Sequence, residues 1–175
     1  MRINFYGLKA IYLHEMDRFR RTLGQSLLSP VISTSLYFIV FGSVIGGYVQ
    51  KIDGISYGSY IVPGLLMLTL LTQSISNTSF GIFFPKFNGT IYEILAAPIS
   101  TFEIVLAFVS AGATKTIIVG IVIFLTSLFF VDVKVQFPLL MVFLLILVSF
   151  TFALFGFLIG LMSKNFEQMS IVPSL

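Results

Sequence analysis

Three long runs without a charged residue dominate this 175-residue chain. They extend over residues 22–50, 54–85 and 135–163, which are 29, 32 and 29 residues long. A helix needs about 20 consecutive apolar residues to cross the hydrocarbon core of a bilayer, so each run is long enough to span it. A fourth apolar stretch, 104–131, is interrupted only by Lys115. The sequence therefore predicts a membrane protein.

Composition supports this prediction, because 57% of the residues are hydrophobic and only 10% are charged, far from the balance of a soluble domain. We predict an all-α, polytopic membrane helical bundle that forms a single domain over residues 1–175. The spans are expected at about 26–48, 57–83, 102–131 and 138–162. Residues 169–175 are apolar again and predict the start of an incomplete fifth span, as in a fragment or a truncated gene product.

The first 23 residues carry a basic, amphipathic helical pattern. The apolar side chains that recur every three or four residues are Phe5, Leu8, Tyr12, Met16, Phe19 and Leu23. Such a stripe on a basic helix is typical of a helix that lies in the headgroup region of a membrane. The alternative is an ordinary basic flank that happens to be helical. Gly24 is expected to end this interfacial helix, 1–23, before the first span.

The distribution of Lys and Arg predicts the orientation. Seven of these residues flank the spans on one side and two on the other, and the side richer in basic residues faces the cytoplasm. The seven are Arg2, Lys9, Arg18, Arg20, Arg21, Lys86 and Lys164, and the two are Lys51 and Lys134. We expect a cytoplasmic N-terminus in the inner membrane, with segment 84–100 also in the cytoplasm.

The residues that enzymes and metal sites need are sparse. The chain has no cysteine and a single histidine, His14, so neither a thiolate metal site nor a disulfide framework is expected. No carboxylate pair falls within a predicted span, and there is no phosphate-binding loop of the Walker type. We expect no catalytic residue, no metal and no cofactor bound by this chain, and any ATP hydrolysis would have to occur in a partner.

Lys115 is the one ionisable residue deep in a predicted span, where a cation costs at least about 2.5 to 3.5 kcal/mol. It could contact substrate, a partner protomer or the polar cluster 72–79 of the second span, or the span could be shifted so that Lys115 snorkels. The cluster includes Gln73 and Asn77. It could line a path or join helices, because Ser and Thr commonly link membrane helices.

Segment 84–100 interrupts the apolar runs with a short helix signal between Pro85 and Pro98. Thr90 and Glu93 have the spacing of a capping box. A loop between two spans needs only a few turn residues, so we interpret this segment as a docking element.

The chain resembles the membrane-spanning permease subunit of type-2 ABC exporters over nearly its whole length. The resemblance rests on residues 25–30 (QSLLSP), 60–65 (YIVPGL) and, above all, 86–100 (KFNGTIYEILAAPIS). In that family such a segment is the coupling helix, which seats in a groove of the ATP-binding subunit. The resemblance assigns this role to Phe87, Asn88, Gly89, Thr90, Tyr92, Glu93, Pro98 and Ser100. Glu103 and Lys115 match as well.

The resemblance also implies a function. The chain would be the permease subunit of an ATP-driven exporter of an amphiphilic, drug-like or polysaccharide/lipid-linked substrate. It would work as a homodimer or a permease pair, with ATP and Mg on a separate ATP-binding subunit. Gln73, Asn77, Glu103 and Lys115 would contribute to a path or to helix contacts. Members of the family typically have six spans. The rival interpretation is a structural or assembly membrane protein without a transported substrate.

Overall fold

The computed structural model describes residues 4–41, 51–52, 55–131, 133 and 135–169. The helices are α1 (Phe5–Arg21), α2 (Leu23–Ile39), α3 (Tyr57–Asn88), α4 (Ile91–Ala96), α5 (Thr101–Phe130) and α6 (Pro138–Met162). Two short antiparallel strands, β1 (Lys51–Ile52) and β2 (Ile55–Ser56), precede α3. The protein is an all-α helical bundle, as the sequence predicts.

Three of the described helices, α3, α5 and α6, are long and apolar enough to cross a membrane, and α2 is a shorter apolar helix. At 1.5 Å per residue α3 and α5 are about 48 and 45 Å long, more than the roughly 30 Å of the hydrocarbon core. Residues 42–48 of the predicted first span lie outside the described part of the chain. The predicted fifth span, 169–175, does so too, apart from Met169.

The core of the bundle lies where α3, α5 and α6 pack on one another. Gly156 and Gly160 of α6 face the backbone of α3, and a Cβ on Gly156 would come within 2.5 Å of the Ile75 carbonyl oxygen. Small residues at such crossings let two membrane helices approach closely. At the same crossing the Ser74 hydroxyl donates a hydrogen bond of 2.7 Å to the Ser149 carbonyl oxygen.

Helices α1 and α2 both pack along α5. Near the start of α5, Asn4 contacts Glu103. Near its end the rings of Phe38 and Phe130 stack with centroids 5.8 Å apart. The break between the two helices falls at Thr22, whose hydroxyl donates to the carbonyl oxygens of the preceding turn. The expectation that Gly24 ends the first helix is wrong, because Gly24 lies inside α2.

The face that α1 buries matches the predicted apolar stripe only in part. Phe5, the first residue of that stripe, is 69% exposed. The buried residues are Ile11, Glu15 and Phe19, of which only Phe19 belongs to the stripe. These three residues are spaced by four and so lie on one side of the helix. The face of α1 that packs on the bundle therefore carries an acidic residue at its centre. The membrane-interface location of this helix stays a prediction.

Helix α3 continues beyond the predicted end of the second span. Lys86 and Asn88 belong to its last turns, and Pro85 lies inside it. The docking segment therefore begins within α3, and the separate helix α4 is only six residues long. We call this side of the bundle, where α3 and α6 end and α5 begins, the α4 end.

Candidate functional site

The backbone at Gly89 determines where α3 stops and α4 starts. Gly89 has φ +84°, in the left-handed region, which glycine adopts without steric cost. The chain turns there, and the Tyr92 amide donates to the Gly89 carbonyl oxygen at 3.2 Å. After Ala96 the chain is extended through Ala97 and enters α5 at Ser100.

The capping box predicted at Thr90 and Glu93 does not form. Thr90 has helical dihedral angles and makes no side-chain cap, and its hydroxyl instead donates to Asn88 Oδ1 at 2.8 Å. A complete capping box is found at Ser100 and Glu103, at the start of α5. Ser100 has the extended dihedral angles that an N-cap side chain needs to reach the amide three residues on. The capping-box motif is therefore present in this part of the chain, but at Ser100 and Glu103 and not at the predicted Thr90 and Glu93.

Helix α4 has an inner and an outer face. Ile91 and Ile94 pack against the core cluster that includes Ile104 and Phe108. Tyr92, at 73% exposure, and Leu95, at 59%, point away from the bundle. Four more of the predicted coupling residues are exposed near Tyr92, namely Phe87, Asn88, Thr90 and Glu93. Gly89 is half-buried at the turn between them. We call residues 84–100 the predicted coupling segment, and Phe87, Tyr92, Glu93 and Leu95 its outer face.

Pro98 and Ser100 lie apart from that outer face, at a junction of α1, α4 and α5. The Glu103 carboxylate accepts from the Ser100 amide at 2.7 Å through one oxygen and from the Asn4 amide through the other. The Asn4 side chain donates to the Pro98 carbonyl oxygen at 3.2 Å. Glu103 is buried. It thus joins the beginning of α1 to the end of the coupling segment.

A second contact joins the coupling segment to α6. The Lys86 ammonium group donates to the carbonyl oxygens of Leu161 and Ser163, at 2.6 and 2.9 Å. The last carbonyl groups of a helix have no partner within the helix, so a cation placed there stabilises the helix end. Beside it, the Phe166 ring packs edge-on against Phe83 and Phe87.

Lys115 is only 3% exposed, and its partner is Glu15 of α1. Lys115 Nζ lies 2.7 Å from Glu15 Oε2, and Arg18 Nη2 lies 2.7 Å from the same oxygen. Neither the polar cluster of the second span nor snorkelling accounts for the buried ammonium group. A buried ion pair of this kind compensates a charge that would otherwise be costly inside the protein.

The polar cluster 72–79 divides between two surroundings. Ser74, Thr78 and Ser79 are buried against α5 and α6. Gln73 and Asn77 are half-buried and face each other, with Asn77 Nδ2 3.5 Å from Gln73 Oε1. Of the two roles considered for the cluster, helix contact describes Ser74, Thr78 and Ser79, whereas Gln73 and Asn77 line open space.

That open space consists of two cavities, one after the other along α2 and α3. The first measures 580 Å³, and the residues that line it include Arg18, Gln25, Asn77 and Lys115. The second measures 310 Å³ and lies farther from the α4 end. Polar residues from one side of α2 and one side of α3 face these cavities. They are Gln25, Ser26, Ser29 and Ser33 of α2, with Thr22 just before it, and Thr69, Thr72, Gln73, Ser76 and Asn77 of α3.

Sequence reasoning missed Glu15, Asn4 and the role of Lys86. A signal for Glu15 is present, because it stands midway between Ile11 and Phe19 at helical spacing. A signal for the junction at Glu103 is present as well, because Ser100 and Glu103 have capping-box spacing immediately before an apolar run. No local pattern indicates that the Asn4 amide meets Glu103, 99 positions away.

Comparison with known proteins gives one consistent answer. The model of the ABC-2 type transporter family matches residues 6–175. The chain is 37% identical over 174 residues to the inner membrane transport permease YadH of Escherichia coli (strain K12), covering 99% of this chain and 68% of that protein. The YadH proteins of Escherichia coli O157:H7 and Shigella flexneri match equally well. No solved structure matches the chain.

Both findings agree with the long apolar helices of the bundle and with the sequence resemblance. Members of this family are membrane transport subunits that associate with an ATP-binding subunit and are not themselves catalytic. The chain belongs to the ABC-2 type transporter family and is a membrane-spanning permease subunit of an ABC transporter.

Proposed function

We propose that this permease subunit exports an amphiphilic substrate across the inner membrane, and that α4 is the element through which an ATP-binding subunit drives it. The observation that carries the proposal is the two-sided character of α4. Its inner residues pack into the bundle core, and its outer residues, Tyr92 and Leu95 above all, are exposed. Exposed aromatic residues are enriched at protein interfaces.

The contacts around α4 support a mechanical role. Ile91 and Ile94 connect it to α5, Glu103 connects it to α1, and Lys86 connects the preceding turn to α6. A displacement of the coupling segment would therefore move several helices together. A flexible loop would absorb the same displacement, so the rigid attachment favours transmission into the bundle.

The partner supplies the energy in this proposal. ATP and Mg²⁺ bind to the ATP-binding subunit, and two permeases, identical or paired, work with two such subunits. In the sequence, seven Lys and Arg residues flank the predicted spans on the side of segment 84–100 and two on the other side, which supports a cytoplasmic N-terminus and a cytoplasmic α4. The relative from Escherichia coli is named an inner membrane permease, which supports the same membrane for this chain.

The groove between α2 and α3 supports an amphiphilic substrate. Its wall combines polar side chains, Gln73 and Asn77 among them, with a larger apolar area. The neighbouring surface of α2 is apolar and exposed, with Leu28, Ile32 and Leu36 more than half exposed. A molecule with a polar head and an apolar body, such as a drug-like compound or a lipid-linked glycan, could place each part in a suitable environment.

Cysteine cross-linking tests the coupling assignment, because these 175 residues contain no cysteine. Tyr92→Cys lies on the outer face of α4, and Tyr60→Cys, 58% exposed near the start of α3, is a matched control at the opposite end. In membranes that contain the full-length permease and its ATP-binding subunit, only Tyr92→Cys should cross-link to that subunit. Equal cross-linking, or none while both cysteines react with maleimide, would contradict the assignment.

Vesicle transport tests the direction. In inside-out vesicles with ATP outside, an exporter should accumulate a fluorescent amphiphile, whereas right-side-out vesicles should not. Glu93→Ala combined with Tyr92→Ala should reduce ATP-stimulated accumulation, because both side chains belong to the outer face of the coupling segment. Accumulation only in right-side-out vesicles loaded with ATP would refute export.

A further inference from the structure

We propose that the larger cavity binds the anionic headgroup of an amphiphile, with a phosphate group as the preferred chemistry. This inference rests on the proposed export function, for which it names the substrate class. Two cations at the wall of the cavity, Arg18 and Lys115, are the groups that would bind the anion.

The charges around the cavity do not balance. Arg18 and Lys115 share one carboxylate, that of Glu15, and both bind the same oxygen, Oε2. With all three groups ionised, the cluster keeps one positive charge in excess. Lys115 is almost completely buried, whereas the Arg18 side chain is 26% exposed, so water can compensate that charge only from the side of Arg18. A second anion beside the two cations would do so.

The arrangement of the cluster directs this excess charge toward the cavity. Arg18 and Lys115 line the cavity, whereas Glu15 lies behind them and forms no part of the wall. None of the described residues that line it is acidic. Glu15 Oε1 has no hydrogen-bond partner among the described residues. Because Glu15 is not part of the wall, this oxygen does not face a ligand in the cavity.

The polar part of the remaining wall fits an oxyanion, and it stands beside three apolar side chains, Phe19, Phe80 and Met169. The amide groups of Gln25 and Asn77 and the hydroxyl group of Ser76 add neutral donors next to the two cations. Lys115 uses one of its three N–H donors for Glu15, and Arg18 holds Glu15 through one terminal nitrogen. Donors therefore remain for the three outer oxygens of a phosphate group, with which charge-assisted hydrogen bonds are strong.

The position of the cavity indicates an amphiphile. It lies between α1, α2 and α3, and α2 has an exposed apolar surface on the adjoining turns, including Leu28. An apolar chain attached to the headgroup could leave the cavity along that surface without crossing the bundle core. A free inorganic anion would use only the polar wall.

The test uses the full-length permease with its ATP-binding subunit in phosphatidylcholine nanodiscs, on a background without other reactive cysteines. A Ser76→Cys variant places a maleimide-reactive group in the wall of the cavity. Dodecyl phosphate should slow its alkylation, and dodecyl maltoside, which has the same tail and a neutral head, should not. A Ser33→Cys variant reports on the second cavity and should be protected much less.

Two charge variants of the same reporter give opposite expectations. Lys115→Met removes the excess positive charge and should raise the dodecyl phosphate concentration needed for protection about tenfold or more, the effect of a lost charge-assisted hydrogen bond. Glu15→Gln increases the excess charge and should lower that concentration. If the cluster only holds α1 on α5, both variants should change protection in the same direction or not at all, and the proposal would be overturned.

Inorganic phosphate identifies the source of the anion. Protection by dodecyl phosphate alone supports a lipid-like headgroup, whereas equal protection by inorganic phosphate would overturn the amphiphile and leave a free-anion site. Absence of alkylation in the unliganded protein would mean that the cavity is filled by other parts of the transporter, and this too would overturn the proposal. Accumulation of a fluorescent amphiphile in inside-out vesicles, measured with the transporter that lacks the reporter cysteine, tests the export function separately.

Discussion

The junction at Glu103 allows a quantitative prediction about how α1 is attached to the coupling segment. Glu103→Gln keeps the size of the side chain but replaces one carboxylate oxygen with an NH₂ group, which cannot accept a hydrogen bond. In the native protein both oxygens accept, one from Asn4 and the other from Ser100. One of these two bonds must therefore be lost in the variant.

A hydrogen bond to a charged group contributes about 1.5 to 3 kcal/mol, and the variant also loses the charge that favours the start of α5. The junction should then open about 10 to 100 times more often. Amides in the first turn of α1, such as Gly7 and Leu8, and those of α4 should exchange faster with deuterium by up to that factor. Amides in the middle of α5 should keep their protection.

Hydrogen–deuterium exchange of the purified permease in nanodiscs provides the assay. Glu93→Gln is the matched control, because Glu93 is an exposed acid on α4, and it should leave exchange in α1 unchanged. Ser100→Ala removes only the side-chain half of the capping box, so it should affect the first turn of α5 more than α1. If Glu103→Gln and Glu93→Gln gave the same exchange in α1, Glu103 would not be the link.

Three further substitutions test the packing around the candidate site. Gly156→Ala should lower the apparent melting temperature of the permease in detergent, because its Cβ would meet backbone atoms of α3. Overpacking of this kind costs about 1 to 3 kcal/mol. The control Gly64→Ala, whose Cβ would meet nothing within 4 Å, should leave the melting temperature equal or higher. Gly89→Ala should cost about 1 kcal/mol because of the positive φ, and weaker binding of the ATP-binding subunit in a pull-down would show the displaced α4. Lys86→Met should increase hydrogen exchange at the last turn of α6, and unchanged exchange there would contradict its role as a cap.

The sequence predicted the helices of the bundle well, because their signal is local. Each span is a continuous apolar run, and burial of such runs in lipid requires helices whose backbone groups are paired within the segment. The sequence also predicts a short helix between Pro85 and Pro98, and α4 lies in that interval, although it begins only after Gly89. The boundaries differ, because α3 continues through Pro85 to Asn88, beyond the predicted end of the second span.

At the candidate site, by contrast, local sequence signals did not suffice to predict the structure. Two Ser/Thr–x–x–Glu motifs occur ten residues apart, and both have the right spacing. Only Ser100 has extended dihedral angles, whereas Thr90 follows the left-handed Gly89 and is already helical. The motif could therefore be recognised in the sequence, but the backbone conformation that selects one copy depends on how α3 ends.

The sequence by itself determined that this protein is a membrane helical bundle with a polar segment, 84–100, between two apolar runs, and it identified Lys115 as a charge that needs a partner. Only the tertiary structure decided that the partner is Glu15, 100 positions away, and that Glu103 joins α1 to the coupling segment. The physical reason is the sequence separation over which each kind of interaction acts. Hydrophobic periodicity and turn preferences act over a few residues, whereas an ion pair or a hydrogen bond between helices exists only after packing has brought distant segments together.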